Sequence, residues 1–146
     1  MSVRDGYRIS TDPAELDLDT IHGFLKTAYW SPGVPREVVA RSIESSLNFG
    51  LYTDAGQQVG FTRVVTDHAT FAWIADVFVL PEHRGRGLGV RLMEAVLSHP
   101  DLKGLRRHLL ATADAHGLYE RFGFERFAGS ERFMAIEYEA SQLYPS

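Results

Sequence analysis

Residues 84–89 read Arg84-Gly85-Arg86-Gly87-Leu88-Gly89, directly after an apolar run from Val77 to Leu80 that opens on Asp76. Behind the glycines, Leu88, Leu92, Val96 and Met93, Leu97 recur at helical spacing, so the order is strand, glycine-rich basic turn, amphipathic helix. That order builds an anion site. Glycines at 85, 87 and 89 let backbone approach a ligand closely, while the leading N–H groups of the helix and its dipole favour negative charge. Arg84 and Arg86 add two cations at the rim, and a diphosphate is the natural guest. A phosphate loop of nucleotide triphosphatases needs Lys followed by Ser or Thr at the helix start, whereas Gly87 here leads into Leu88-Gly89-Val90. A dinucleotide fingerprint needs G-x-G-x-x-G near the start of a strand–helix–strand unit, and these glycines are spaced G-x-G-x-G past the middle of the chain.

The arrangement Arg84-x-x-Gly87-x-Gly89 on the turn after an apolar strand resembles the coenzyme A pyrophosphate loop of the GCN5-related N-acetyltransferases (GNAT). Downstream, Leu118-Tyr119-Glu120-Arg121-Phe122-Gly123-Phe124 resembles the second recurring segment of that family. The resemblance runs from about Tyr7 to Tyr138, with the first third matching in pattern only. It implies acetyl-CoA as co-substrate and direct acyl transfer to a primary amine in a ternary complex, with a small-molecule acceptor. A protein or peptide acceptor is the rival within enzymes; a non-catalytic acyl-CoA sensor is the rival outside them, and it needs neither acid nor base.

The positions the resemblance marks can each be weighed physically. It places Tyr119 where many members carry a general acid toward the coenzyme A sulfur, and a phenol there can donate to a developing thiolate. Packing against Phe122 and Phe124 is the structural alternative. Asp76 interrupts an apolar strand, which is costly unless the carboxylate faces a pocket or is paired. It is therefore the candidate base, with an ion pair to Arg63 or Arg107 as the alternative. The family's cofactor arm bonds to strand backbone, here around Val77, Phe78 and Val79. Where the family often has an asparagine on that arm, this chain has Thr112, whose hydroxyl replaces the amide in part. Asp114 reads as a helix cap. Tyr29, Trp30 and Trp73 are candidate acceptor-pocket walls suited to a cationic or aromatic amine, with core or lid packing as the alternative.

Composition narrows the classes further. The 146 residues make one expected domain, 1–146, with 45% hydrophobic and 12% aromatic residues, as in ordinary globular chains. There is no cysteine, which excludes a thiolate nucleophile and cysteine-ligated zinc, and the six histidines show no ligand spacing, so no metal is expected. A net charge of −4 with scattered arginines argues against nucleic acid as a partner. No apolar run reaches membrane-spanning length and no charged-then-apolar leader precedes the first strand, so the expected setting is cytoplasmic with no membrane partner.

The elements that must position these residues follow from periodicity and punctuation. Tyr7 to Ser10 reads as a strand, and a helix opens at Asp12-Pro13 and runs to Ala28. Trp30 to Pro35 forms a proline-rich bend, and Arg36 to Ser46 a second helix. Phe49 to Thr53, Val59 to Thr66 and Thr70 to Leu80 form a meander, followed by the glycine-loop helix. Leu105 to Ala111 is a strand, Asp114 to Phe122 a helix, Phe124 opens a short strand, and Arg132 to Tyr138 is the last strand. The expected class is α/β: a mixed central sheet, antiparallel meander plus a parallel pair, flanked by helices. The family resemblance adds that the parallel pair splays, here between Phe78-Val79 and Leu110-Ala111. The apolar edge Phe133 to Tyr138 suits homodimerisation.

Overall fold

The computed structural model describes residues 5–127 and 130–145. Five strands form one sheet in the order β1 (Tyr7–Ser10), β2 (Leu47–Thr53), β3 (Gln58–Thr66), β4 (Phe71–Val79), β5 (Arg107–Leu110). Neighbours are antiparallel except β4 and β5, which are parallel. Helices α1 (Leu18–Leu25) and α2 (Arg36–Glu44) precede β2, α3 (Leu88–Ser98) joins β4 to β5, and α4 (His116–Glu120) follows β5. A last turn, α5, spans Ala140–Leu143. This is the expected mixed sheet flanked by helices.

Two apolar clusters divide the core between the helices. Leu88, Leu92, Met93 and Val96 of α3 pack with Phe49, Leu51, Val64, Ala72 and Ile74 of the sheet. Ile21 and Leu25 of α1 and Val39 of α2 pack with Phe61 and Phe78. Ala72 and Ile74 therefore serve the first cluster and Phe78 the second, although regular alternation would turn all three to one face. The cause is a β-bulge. The β3–β4 register shifts between Phe61↔Phe78 and Arg63↔Ala75, so Asp76 and Val77 together oppose Thr62. Asp76 absorbs the extra residue at φ +57°, a region that Asp tolerates better than branched residues. Thr62 Oγ1 closes the irregularity by donating to the Ala75 carbonyl at 3.1 Å. After the bulge, Val77 and Val79 turn toward the α3 cluster and Phe78 stacks on Phe24 of α1 at 4.2 Å.

The structure corrects three readings of the elements. The first helical stretch is split, a single 3-10 turn at Pro13–Glu15 followed by α1, because two aspartates cap separately: Asp12 accepts the Ala14 N–H and Asp17 accepts that of Thr20. Neither the short strand at Phe124 nor the last strand from Arg132 to Tyr138 forms. Residues 133–139 carry no regular structure, and among the described residues the backbone of 133–138 makes no hydrogen bond. An apolar run has strand propensity, but a strand exists only where an edge accepts it. The C-terminal turn α5 replaces nothing that the periodicity foresaw.

Candidate active site

The glycine loop is built as its composition requires. Gly85 and Gly87 adopt φ +79° and +74°, where an L side chain is strained, and a Cβ on either would meet nothing within 4 Å. The space in front of the loop is therefore open to a ligand. Gly87 caps α3, whose first backbone bond runs from the Arg91 N–H to the Gly87 carbonyl at 3.2 Å. The N–H groups of Leu88, Gly89 and Val90 lie ahead of that ladder, at the positive end of an 11-residue helix. A Cβ at Gly89 would stand 3.9 Å from Leu118, so this glycine sits on the α4 side. Arg84 Nε donates to the Val79 carbonyl at 2.8 Å and braces the loop on the end of β4. Arg86 is exposed at the rim. Loop and helix start fit a diphosphate group.

Next to this loop the sheet opens. β4 and β5 pair from Phe71↔Arg107 to Ile74↔Leu110, and β4 then runs on from Ala75 to Val79 with no β5 partner. A cavity of about 610 Å³ occupies the resulting wedge. Tyr29, Trp30, Trp73, Asp76, Thr112 and Tyr119 all line it, together with Val77. Six of the residues named from the sequence as acid, base, cofactor contact or acceptor wall thus meet in one place with Val77 as a seventh. Phe78 does not; its side chain is buried toward α1, which leaves only its backbone on the cleft side. Val79 lies farther along, its carbonyl engaged by Arg84.

Two of the charged groups of the cavity, Asp76 and Arg63, are paired. Asp76 Oδ2 accepts from Arg63 Nε at 2.8 Å, with side chains 11% and 19% exposed, and Oδ1 accepts from the Trp30 indole N–H at 3.0 Å. Of the two arginines considered as partners, Arg63 is the one used. Arg107 lies instead over the rings of Phe127 and Phe133. The bulge makes the Asp76 geometry possible, because it turns the carboxylate away from the α3 cluster and toward the α1–α2 bend. Tyr29 stands edge-on to Trp30 at 5.1 Å, and both rings are well exposed on the cavity side.

Tyr119 is buried in the first turn after the β5 crossover, T-shaped against Phe124 at 6.0 Å. Burial pushes its phenol above the ordinary tyrosine value, and the nearby Tyr29 and Asp114 reinforce the shift by disfavouring a further negative charge. The hydroxyl thus holds its proton through neutral and mildly alkaline pH. Asp114 is not the cap of α4. α4 has no side-chain cap; Thr112 Oγ1 accepts the Ala115 N–H at 3.0 Å in the turn ahead of it, and Asp114 stays exposed on the cavity rim. Sequence reasoning missed this uncapped start, and it missed the bulge. An aspartate inside an apolar strand was the available signal, since Asp is enriched at positive φ.

Residues 45–126 match the family model of the acetyltransferase (GNAT) domain. A Gibberella zeae protein that carries an acetyltransferase designation is 35% identical, matched over 80% of this chain and 77% of its own. A crystal structure from Xanthomonas campestris pv. campestris, of a protein assigned to the GNAT family, is 48% identical with a TM-score of 0.91, covering 96% of this chain and 97% of that one. A GNAT family acetyltransferase from Elizabethkingia anophelis, solved with acetyl-CoA bound, shares the fold at 16% identity and a TM-score of 0.65, over 86% and 80% of the two chains. The span matched by the family runs from β2 through the glycine loop to the residues after α4, and so takes in every element shaping the cavity except the α1–α2 bend; the chain belongs to the GNAT acetyltransferase family.

Proposed function

We propose that this chain transfers an acetyl group from acetyl-CoA to the primary amine of a small cationic acceptor, by direct attack in a ternary complex. The observation that carries the reading is the convergence of Tyr119, Asp76 and an aromatic wall on one wedge-shaped cavity beside an open glycine loop. The family uses acetyl-CoA as co-substrate, which supplies an activated thioester. Arg84, Gly85, Arg86, Gly87, Leu88 and Gly89 would hold its diphosphate through backbone N–H groups and the rim cation. Backbone of Val77, Phe78 and Val79 and the Thr112 hydroxyl would line its arm.

Within that frame each side chain has a task. Asp76 takes a proton from the incoming ammonium or amine, directly or through water, while Arg63 and Trp30 fix its orientation. Tyr119 donates its proton to the departing thiolate, and the raised pKa keeps that proton available at working pH. Exchange with water after product release returns both groups to their starting states. Acceptor choice falls to Tyr29, Trp30 and Trp73. Two carboxylates, Asp76 and Asp114, against one guanidinium, Arg63, bias the cavity toward a cation, and the indole and phenol faces favour the same guest. We take residues 1–146 as one such domain, working in the cytoplasm; among the described residues no helix is long and apolar enough to cross a membrane.

Trp30→Ala tests the acceptor side by itself. It removes the aromatic wall and one hydrogen bond to Asp76, so KM for a cationic amine should rise roughly tenfold or more, while calorimetric acetyl-CoA affinity stays unchanged. An unchanged KM would move the acceptor elsewhere.

A further inference from the structure

Tyr7 of β1 reaches the glycine loop on both of its flanks. Its hydroxyl and His83 Nδ1 share a hydrogen bond of 2.7 Å, with the two rings edge-on at 5.7 Å. His83 closes the 3-10 turn Pro81–His83 and stands directly before Arg84 and the glycines. On the other side of the loop Arg91, in the first turn of α3, donates from Nη2 to the Tyr7 carbonyl at 3.1 Å. The two contacts span 76 and 84 positions of sequence, so neither is a local turn bond. Tyr7 is itself 7% exposed and belongs to the α3 cluster, which leaves its position little freedom.

The segment between those two anchors is poorly able to hold itself. Gly85 and Gly87 have no side chain to pack, both take positive φ, and a Cβ on either would meet nothing within 4 Å. A glycine loop left loose loses conformational freedom when it closes on a ligand, and that loss weakens binding. Arg84 Nε on the Val79 carbonyl ties the loop to its own strand. It does not fix where the loop stands relative to α3, whose first N–H groups complete the anion site. Tyr7 does, because His83 before the glycines and Arg91 after them are fastened to one residue. That residue lies outside the span 45–126 matched by the family model.

We propose that Tyr7 is a positioning residue of the cofactor site: acting through His83 and Arg91, it holds the glycine loop and the start of α3 in the mutual arrangement that receives the diphosphate of acetyl-CoA. In this role Tyr7 touches no cofactor atom. It rests on the reading of the loop as the diphosphate site, and adds that binding strength is set in part from β1, which β2 and β3 separate from β4 in the sheet. The loop is thereby ordered before the ligand arrives, and the cofactor meets a formed cradle.

Calorimetric titration of coenzyme A into the full chain tests this. Tyr7→Phe keeps the buried ring and removes the hydroxyl, so affinity should fall roughly three- to tenfold with the circular dichroism spectrum retained. His83→Ala should lower it by about as much, and the two changes together by no more than either alone, because both break one contact. His83→Asn, whose amide can still pair with the Tyr7 hydroxyl, should stay within about twofold of wild type. Wild-type affinity in Tyr7→Phe, losses that multiply in the double variant, or an asparagine no better than the alanine would each overturn the proposal. Gly87→Glu separates it from the reading beneath it. If that variant loses binding while Tyr7→Phe does not, only the role of Tyr7 fails; if Gly87→Glu binds as wild type does, the loop is not the diphosphate site and both fall.

Discussion

At the scale of single residues, the account rests on two groups whose surroundings differ. Tyr119 is a buried phenol with a raised pKa, and Asp76 is a carboxylate with both oxygens engaged. Tyr119→Phe keeps the ring against Phe124 and removes only the donor, so turnover should fall roughly ten- to a thousandfold while acetyl-CoA affinity holds. Because burial keeps the phenol protonated, wild-type turnover should show no loss from this group until the pH passes the ordinary tyrosine value near ~10. A limb descending at neutral pH that disappears in Tyr119→Phe would contradict that assignment. Asp76→Asn has a double signature. It leaves the Arg63 guanidinium, mostly buried, without its charge partner, so stability should drop by about 2 kcal/mol by thermal melting. If Asp76 also accepts the amine proton, turnover should fall most at low pH, where free amine is scarce; a loss uniform across pH would reduce it to a residue that orients Trp30.

At the scale of elements, the loop and the bulge define the site, and they were not equally legible. Arg84-x-x-Gly87-x-Gly89 announced an anion loop because glycine is the residue that positive φ and close approach demand, and Gly85 and Gly87 do have positive φ. The parting of β4 from β5 came from the family resemblance. The bulge beside it, an extra residue at Asp76 that flips the side-chain alternation so that Phe78 turns to α1, was hidden because period-two reading assumes unbroken register. The uncapped start of α4 was hidden for a similar reason: Thr112 and Asp114 are both good cap types, and the path of the turn leaves Thr112 bonded to the Ala115 N–H ahead of the helix and Asp114 exposed. The missing last strand shows a third limit, since local pattern cannot say whether an edge is there to receive a strand. Gly87 separates binding from folding. Gly87→Ala should cost about 1 kcal/mol of stability through its left-handed φ, while the open space ahead of it accepts the methyl group. Gly87→Glu should in addition weaken acetyl-CoA binding more than tenfold, or ~1.4 kcal/mol, through obstruction and charge repulsion. Calorimetry giving equal affinity for the glutamate variant, with the protein folded, would remove the loop from the site.

At the scale of the whole molecule, the same sheet that parts to make the cavity also buries a second phenol, at Tyr52. Its hydroxyl has no hydrogen-bond partner among the described residues, and burial pushes its pKa up to about 12. A folded-state pKa above the unfolded value means that stability is fully present below about pH 10 and is lost as pH rises through the folded value. Alkaline unfolding should therefore set in between roughly pH 10 and 12. Tyr52→Phe should blunt it, with neutral-pH stability changed by no more than about 1 kcal/mol, because the hydroxyl it removes is unpaired. A melting profile that falls equally with pH in the variant would assign the loss to other groups, Tyr119 among them. The central claim, however, concerns chemistry carried by the assembled fold, and one measurement reaches it most directly: release of coenzyme A thiol from acetyl-CoA, followed across a panel of small diamines, neutral amines and N-terminal peptides. The account predicts turnover that depends on the amine, is fastest with cationic small amines, and collapses in Tyr119→Phe. Tight acetyl-CoA binding with no thiol released above background for any amine would contradict it and leave a sensor in place of an enzyme.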